Sequence, residues 1–141
     1  MDTVRDVMST DIEYCTPLDN VYEVAVKMKD LNIGAVPILE DKKLIGMITD
    51  RDLVVRGYAA KRSGSNQVTD VMSEDLITCT PDTTLEEASR LMAKHQIRRL
   101  PVVENTQLVG ILSLGDLSIN KTSDNYAGEA LSDISEQDQL H

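Results

Sequence analysis

The chain has 141 residues and a net charge of −10, and only 3% of its residues are aromatic, with no Trp and no Phe. Proteins that bind the phosphate backbone of nucleic acids need many Lys and Arg side chains, so this charge disfavours nucleic acid as a partner. The two cysteines offer neither a disulfide framework nor metal-ligand spacing. The apolar runs are too short to cross a membrane and the first residues carry no apolar leader, so we expect a soluble, cytoplasmic protein.

One sequence pattern occurs twice, at a shift of 64 residues without a gap. Residues 4–9 (VRDVMS) match residues 68–73 (VTDVMS), and about 18 of the 53 aligned positions are identical. We therefore predict repeat one over residues 1–60 and repeat two over residues 68–121. A unit of this length is marginal on its own, so we expect the two copies to pack together.

Both copies give the same order of predicted elements. After a first strand that ends near a Cys-Thr-Pro sequence, apolar residues recur at helical spacing. Two β-branched runs joined by a short polar loop then predict a hairpin, and a short helix begins near Asp50 or Leu114. The prediction is an α/β fold of two β-α-β-β-α repeats. The capping-box pattern that starts a helix occurs twice, at Asn20 with Glu23 and at Thr84 with Glu87.

Two further features have structural explanations. Cys15 and Cys79 occupy equivalent positions, and we interpret them as buried structural cysteines rather than a redox switch.

Residues 122–141 form an acidic tail. Its apolar residues permit a short amphipathic helix that packs on the body or on a partner. They are Ala127, Ala130, Leu131 and Ile134.

Three motifs occur in order in each copy: an opening Val-x-Asp-Val-Met, a central Gly-Ala-Val-Pro-Ile or Arg-Arg-Leu-Pro-Val, and a closing Gly-Met-Ile-Thr-Asp-Arg-Asp or Gly-Ile-Leu-Ser-Leu-Gly-Asp. In these motifs the chain resembles a pair of cystathionine β-synthase (CBS) domains over nearly all of residues 1–120. The resemblance implies a disc-like module with pseudo-twofold symmetry and two clefts between the repeats. In that family the clefts often hold AMP, ATP, S-adenosylmethionine or another adenosyl compound.

The family's ligand motif is Gly, two apolar residues, Thr or Ser, two variable residues and Asp, and residues 46–52 and 110–116 both contain it in full. A hydroxyl at a strand end beside a helix N-terminus suits a phosphate, and a carboxylate three residues later can accept hydrogen bonds from ribose hydroxyls. By the resemblance, apolar residues sandwich the base. The residues implied for cleft A are Ile12, Ile33, Arg98, Arg99, Ile111, Ser113 and Asp116. The residues implied for cleft B are Ile77, Ile97, Met47, Thr49, Arg51 and Asp52.

The same polar residues have a second interpretation. Ser, Thr and Asp are preferred helix caps, and Arg98 and Arg99 could be solvated charges at a helix end. If they are ligands, the two clefts differ, because repeat one has Gly34-Ala35 where repeat two has Arg98-Arg99. Arginine adds charge-assisted hydrogen bonds to phosphate, so we predict tighter nucleotide binding in cleft A.

The chain shows no Ser-His-Asp set, Walker loop or HExxH sequence, so we predict no enzyme, no metal site and no required cofactor. The predicted function is a regulatory module that senses an adenosyl nucleotide and acts as a homodimer on an unknown protein target. The alternative is a ligand-free module for dimerisation or protein docking.

Overall fold

The structure, a computed structural model, describes residues 2–119. The tail predicted over residues 122–141 lies outside the described residues. The chain divides into two compact units: unit one is Glu13–Leu76, and unit two is Met1–Ile12 together with Ile77–His141. Units and repeats do not coincide. The opening residues of repeat one belong to unit two, and those of repeat two belong to unit one.

The mixed α/β class predicted from the sequence is confirmed, with antiparallel hairpins and helices in both units. A 3-10 turn covers Val68–Asp70. The helices and strands, in chain order, are α1 (Val4–Val7), α2 (Val21–Leu31), β1 (Ala35–Glu40), β2 (Lys43–Thr49), α3 (Asp50–Asp52, which continues as a wider π-helical stretch over Leu53–Tyr58), α4 (Leu85–His95), β3 (Arg99–Glu104), β4 (Gln107–Ser113) and α5 (Leu114–Ile119).

The long helix of each unit begins at the predicted cap. In α2 the Asn20 side chain accepts a hydrogen bond from the Glu23 N–H at 2.9 Å. In α4 the Thr84 hydroxyl accepts one from the Glu87 N–H at 3.2 Å. Each bond satisfies an N–H group that the first helical turn leaves without a partner. Local sequence therefore determines where both helices start.

The predicted hairpins are present, β1 with β2 and β3 with β4, both antiparallel. Each turn has two residues with positive φ: Asp41 and Lys42 at 51° and 70°, and Asn105 and Thr106 at 54° and 68°. Turns with positive φ at both central residues match the twist of the flanking strands. They place the end of β2 beside the start of β1, and the end of β4 beside the start of β3, which is where the ligand motifs lie.

The first strand predicted for each repeat is reduced to one parallel bridge. The Cys15 N–H donates to the Pro37 carbonyl at 3.0 Å, and the Leu39 N–H donates to the Cys15 carbonyl at 2.9 Å. The next donor of such a ladder would be residue 17, and Pro17 has no N–H. Cys79 makes the equivalent bonds in unit two at 3.0 and 2.8 Å, and a proline again follows two residues later.

Each unit has its own hydrophobic core. The opening segment of repeat one contributes Val4 to the core of unit two, while the opening segment of repeat two contributes Val68 and Met72 to the core of unit one. The buried residues of unit one are Cys15, Val24, Met28, Val36, Ile38, Ile48, Val68 and Met72. Those of unit two are Val4, Cys79, Leu85, Ala88, Met92, Leu100, Val102, Leu112 and Leu117. Within residues 2–119, no helix has the length and apolar character needed to cross a membrane.

Candidate ligand-binding site

The ligand motif of unit two ends at the junction of β4 and α5. Ser113 closes the strand, and its N–H donates to Asp116 Oδ2 at 2.8 Å. The Asp116 N–H donates in return to Ser113 Oγ at 3.1 Å. These reciprocal bonds form a helix cap, so the capping interpretation is confirmed as geometry. The cap uses one carboxylate oxygen, and Asp116 has no ion-pair partner among residues 2–119. Asp116 Oδ1 and the Ser113 hydroxyl hydrogen can therefore still serve a ligand.

Unit one repeats this arrangement at the junction of β2 and α3. The Thr49 N–H donates to Asp52 Oδ2 at 2.9 Å, and the Asp52 N–H donates to Thr49 Oγ1 at 3.1 Å. The second carboxylate oxygen differs from its counterpart in unit two, because Arg56 Nε lies 3.9 Å from Asp52 Oδ1. Arg56 Nη1 also donates to the Met72 carbonyl at 3.0 Å. Sequence analysis missed Arg56, although its i,i+4 spacing from Asp52 was a usable signal.

Two arginines flank the motif of unit two. Arg99 is the antiparallel partner of Ser113. Side chains of such partners lie on the same face of the hairpin with Cβ atoms about 5 Å apart. The Arg98 carbonyl accepts the Leu114 N–H at 3.2 Å, which fixes this residue against the start of α5. Both arginines are exposed, and neither forms an ion pair with another described residue. The structure therefore brings Arg98, Arg99, Ser113 and Asp116 together.

The corresponding place in unit one holds a carboxylate. Ala35 is the partner of Thr49, and the Gly34 carbonyl accepts the Asp50 N–H at 2.9 Å. A Cβ atom built on Gly34 would lie 3.3 Å from Asp50 Oδ2. Gly34 is the residue equivalent to Arg98. In unit one, the Asp50 carboxylate therefore lies beside the position where the Arg98 side chain begins in unit two. Asp50 was not singled out from sequence, although repeat two has Leu114 at the matching position.

The predicted apolar residues are divided between the units. In the cleft A set, Ile33 packs against the core of unit one, whereas the other members belong to unit two. In the cleft B set, Ile77 and Ile97 pack against the core of unit two, whereas Met47, Thr49, Arg51 and Asp52 belong to unit one. The grouping of residues from both units in one cleft stays a prediction.

The glycine of each ligand motif permits a close approach by a methionine of an opening segment. A Cβ atom on Gly110 would lie 2.5 Å from Met8 Sδ and 3.2 Å from the Ser9 carbonyl oxygen. On Gly46 it would lie 2.9 Å from Met72 Cγ. Backbone bonds join the same segments: Ser9 exchanges two bonds with Ile111, each 2.9 Å long. Each opening segment therefore packs directly on the strand that leads into a ligand motif.

The two thiols are buried and free. Burial, reinforced by the nearby charge of Asp19, raises the pKa of Cys15 to about 11. Burial raises the pKa of Cys79 to about 12. Thiolates are the nucleophilic and metal-binding form of cysteine, so both side chains are unreactive near neutral pH. No group of three or more His, Cys, Asp or Glu side chains in residues 2–119 is placed to hold a metal ion.

Known proteins resemble this chain along most of its length. The sequence model of the CBS domain matches residues 4–57 and 68–119. Two proteins of Bacillus subtilis (strain 168) align almost end to end: YlbB is 50% identical over 140 residues (98% of this chain, 95% of YlbB), and the CBS domain-containing protein YhcV is 47% identical over 137 residues (97% and 98%). The crystal structure of CBSX2 in complex with AMP superimposes with a TM-score of 0.74 at 28% identity, covering 82% of this chain and 93% of that chain.

Proposed function

Since this chain belongs to the CBS domain family, we propose that it is a regulatory module that binds an adenosyl nucleotide and catalyses no reaction. The observation that carries the proposal is the cluster in unit two, where two arginines without an ion-pair partner among residues 2–119 flank a hydroxyl and a carboxylate. Arg98, Arg99 and the Ser113 hydroxyl suit a phosphate, and the free oxygen of Asp116 suits ribose hydroxyls. AMP binding is a property of CBSX2, and its similarity to this chain supports adenosyl nucleotides as the class to test.

The regulatory rather than catalytic assignment has its own support. Covalent catalysis needs a nucleophile activated by a nearby base. Both thiols are protonated near neutral pH, and His95, the one histidine in residues 2–119, is exposed at the end of α4. The described residues thus offer no paired nucleophile and base.

Thermal shift with AMP, ADP, ATP, S-adenosylmethionine and NAD tests the proposal. A ligand at 100 times its dissociation constant adds about 2.7 kcal/mol of apparent stability. We expect at least one of these compounds to raise the melting temperature, and a lack of response to all of them would overturn the proposal. Asp116→Ala should remove the stronger binding component and Asp52→Ala the weaker one. Because both changes also delete a helix cap, Thr84→Ala, which deletes the cap of α4, is the matched control.

Self-association is the second candidate, favoured by an apolar surface. The seven large hydrophobic residues that are exposed among residues 2–119 all lie in unit one. Tyr58 is 87% and Val54 60% exposed at the helical stretch that follows α3, and this stretch contacts α2, where Leu31 is 45% exposed. A twofold dimer buries the same patch on both copies, so one patch is enough to form its interface.

Sedimentation velocity tests this candidate. We expect a dimer that Tyr58→Ser shifts toward the monomer, whereas Leu18→Ser does not, because Leu18 is 95% exposed in a turn outside these helices. A monomeric wild-type chain would exclude the second candidate. A dimer with no response to any nucleotide would favour it over the first.

A further inference from the structure

We infer that the two ligand motifs select adenosyl ligands of opposite charge. The motif of unit two takes a ligand with a phosphate beside the ribose, and the motif of unit one takes a ligand that is neutral or positively charged there. The inference rests on the proposed function, because it assigns a charge class to the ligands of the same two motifs.

The decisive group in unit one is the carboxylate of Asp50. The Asp50 N–H donates to the Gly34 carbonyl, the Arg51 N–H donates to Asp50 Oδ1 at 2.8 Å, and the Asp52 N–H donates to Thr49 Oγ1. The first three N–H groups of the helix are therefore all satisfied by the protein itself. A ligand phosphate would find these donors occupied and would lie near a negative charge.

The cations of unit one do not reverse this effect. Arg56 approaches Asp52 and donates to the Met72 carbonyl, so its guanidinium is already engaged. Arg51 is exposed and, like Arg98 and Arg99, has no ion-pair partner among residues 2–119, but the carboxylates of Asp50 and Asp52 belong to the same helical turn and offset its charge. A sulfonium or ammonium group next to the ribose would gain from this environment, and an uncharged nucleoside would lose nothing.

Unit two shows the opposite pattern. Leu114 stands in place of Asp50, and no side chain among the described residues accepts from the Gly115 N–H. Arg98 and Arg99 add two charges without ion-pair partners in residues 2–119, against the single carboxylate of Asp116. A phosphate there would meet one open donor, the Gly115 N–H, because the Leu114 and Asp116 N–H groups are already bonded. It would also meet the two guanidinium groups, each able to bind it bidentately.

Calorimetric titration of two single-motif variants tests the inference. Asp52→Ala removes the carboxylate of the unit-one motif, so only the motif of unit two remains intact. Asp116→Ala does the reverse, so only the motif of unit one remains intact. We expect the Asp52→Ala protein to bind AMP at least about tenfold more tightly than adenosine. A charge-assisted hydrogen bond from arginine to the phosphate is strong enough to produce a difference of this size. The Asp116→Ala protein should bind adenosine and S-adenosylmethionine at least as tightly as AMP. The same order of preference in both proteins would overturn the inference.

A second substitution isolates the role of Asp50. In the Asp116→Ala background, Asp50→Asn keeps the shape of the side chain and removes its charge. We expect a gain of about threefold to tenfold in AMP affinity with adenosine affinity unchanged. Asp41→Asn, in the hairpin turn of the same unit, is the matched control and should change neither affinity.

The possible failures differ in meaning. If the wild-type chain responds to none of AMP, ADP, ATP, S-adenosylmethionine and NAD, the proposed function fails and this inference fails with it. If the ligands bind but Asp50→Asn alters AMP and adenosine affinity equally, only the charge selection is refuted.

Discussion

Gly110 lies in β4 where the side chain of Met8 crosses the strand. An added Cβ would lie 2.5 Å from Met8 Sδ, and the Ser9 carbonyl oxygen, a backbone atom, would lie 3.2 Å away. Overpacking of this kind costs about 1–3 kcal/mol, so Gly110→Ala should lower the free energy of unfolding by that amount. Urea denaturation measures the change.

Gly57 is the matched control for this substitution. It lies in the helical stretch after α3, and among residues 2–119 an added Cβ would come within 4 Å of no atom outside its own helix. Alanine is the better helix former by about 1 kcal/mol, so Gly57→Ala should leave the protein as stable or make it more stable. Equal losses at both glycines would contradict the close approach of Met8.

The buried thiols predict a loss of stability at high pH. Burial raises the pKa of Cys15 to about 11 and that of Cys79 to about 12 from an ordinary value of 9.0. Between pH 9 and 11 the unfolded chain releases these protons while the folded chain keeps them. Stability therefore falls as pH rises through this window. The urea concentration at the unfolding midpoint should fall when the pH is raised from 8.5 to about 10.5. The fall should be smaller in the Cys15→Ala, Cys79→Ala double variant than in wild type. An identical drop in both proteins would show that other groups cause it.

The sequence predicts part of this residue-scale chemistry. Ser113 and Asp116 could be identified because residues 110–116 match the ligand motif of the family that the chain resembles. Asp50 and Arg56 were missed, because their importance depends on which backbone and side-chain atoms the fold brings near them. The contact between Met8 and Gly110 spans about a hundred residues of sequence, and spacing carries no information about it.

At the scale of elements, the helix caps allow capping and ligand binding to be separated. Ser113 caps α5 and is a candidate ligand residue, whereas Thr84 caps α4. Loss of a capping hydroxyl costs about 1 kcal/mol. Ser113→Ala and Thr84→Ala should therefore lower the unfolding free energy by similar amounts without ligand. Only Ser113→Ala should also reduce the thermal shift produced by AMP. If both variants keep the full shift, Ser113 is a cap and nothing more.

Helices and hairpins were predictable because their signals are local. Asn20 and Thr84 lie at the first turns that they cap, and a short polar loop separates the two strands of each hairpin. The first strand of each repeat was overestimated. A parallel ladder depends on a donor two residues further on, and Pro17 cannot supply it.

At the scale of the whole molecule, the exchange of opening segments could not be read from the sequence. The two segments differ at one position in six, Arg5 against Thr69, so neither is visibly better suited to its own repeat. Yet Val4 is buried in the core of unit two, and Val68 is buried in the core of unit one. Duplication predicts that two cores exist, but it does not predict which segment completes each of them.

Hydrogen exchange on the full chain tests this exchange of segments. Removing two methyl groups from a fully buried valine costs about 2 kcal/mol, and the loss should appear first in the unit whose core loses the contact. Val4→Ala should accelerate amide exchange in β3 and β4 more than in β1 and β2, although Val4 belongs to repeat one in sequence. Val68→Ala is the mirror control and should act mainly on β1 and β2. If Val4→Ala instead accelerated exchange mainly in β1 and β2, the hairpin of repeat one, the exchange of opening segments would be refuted.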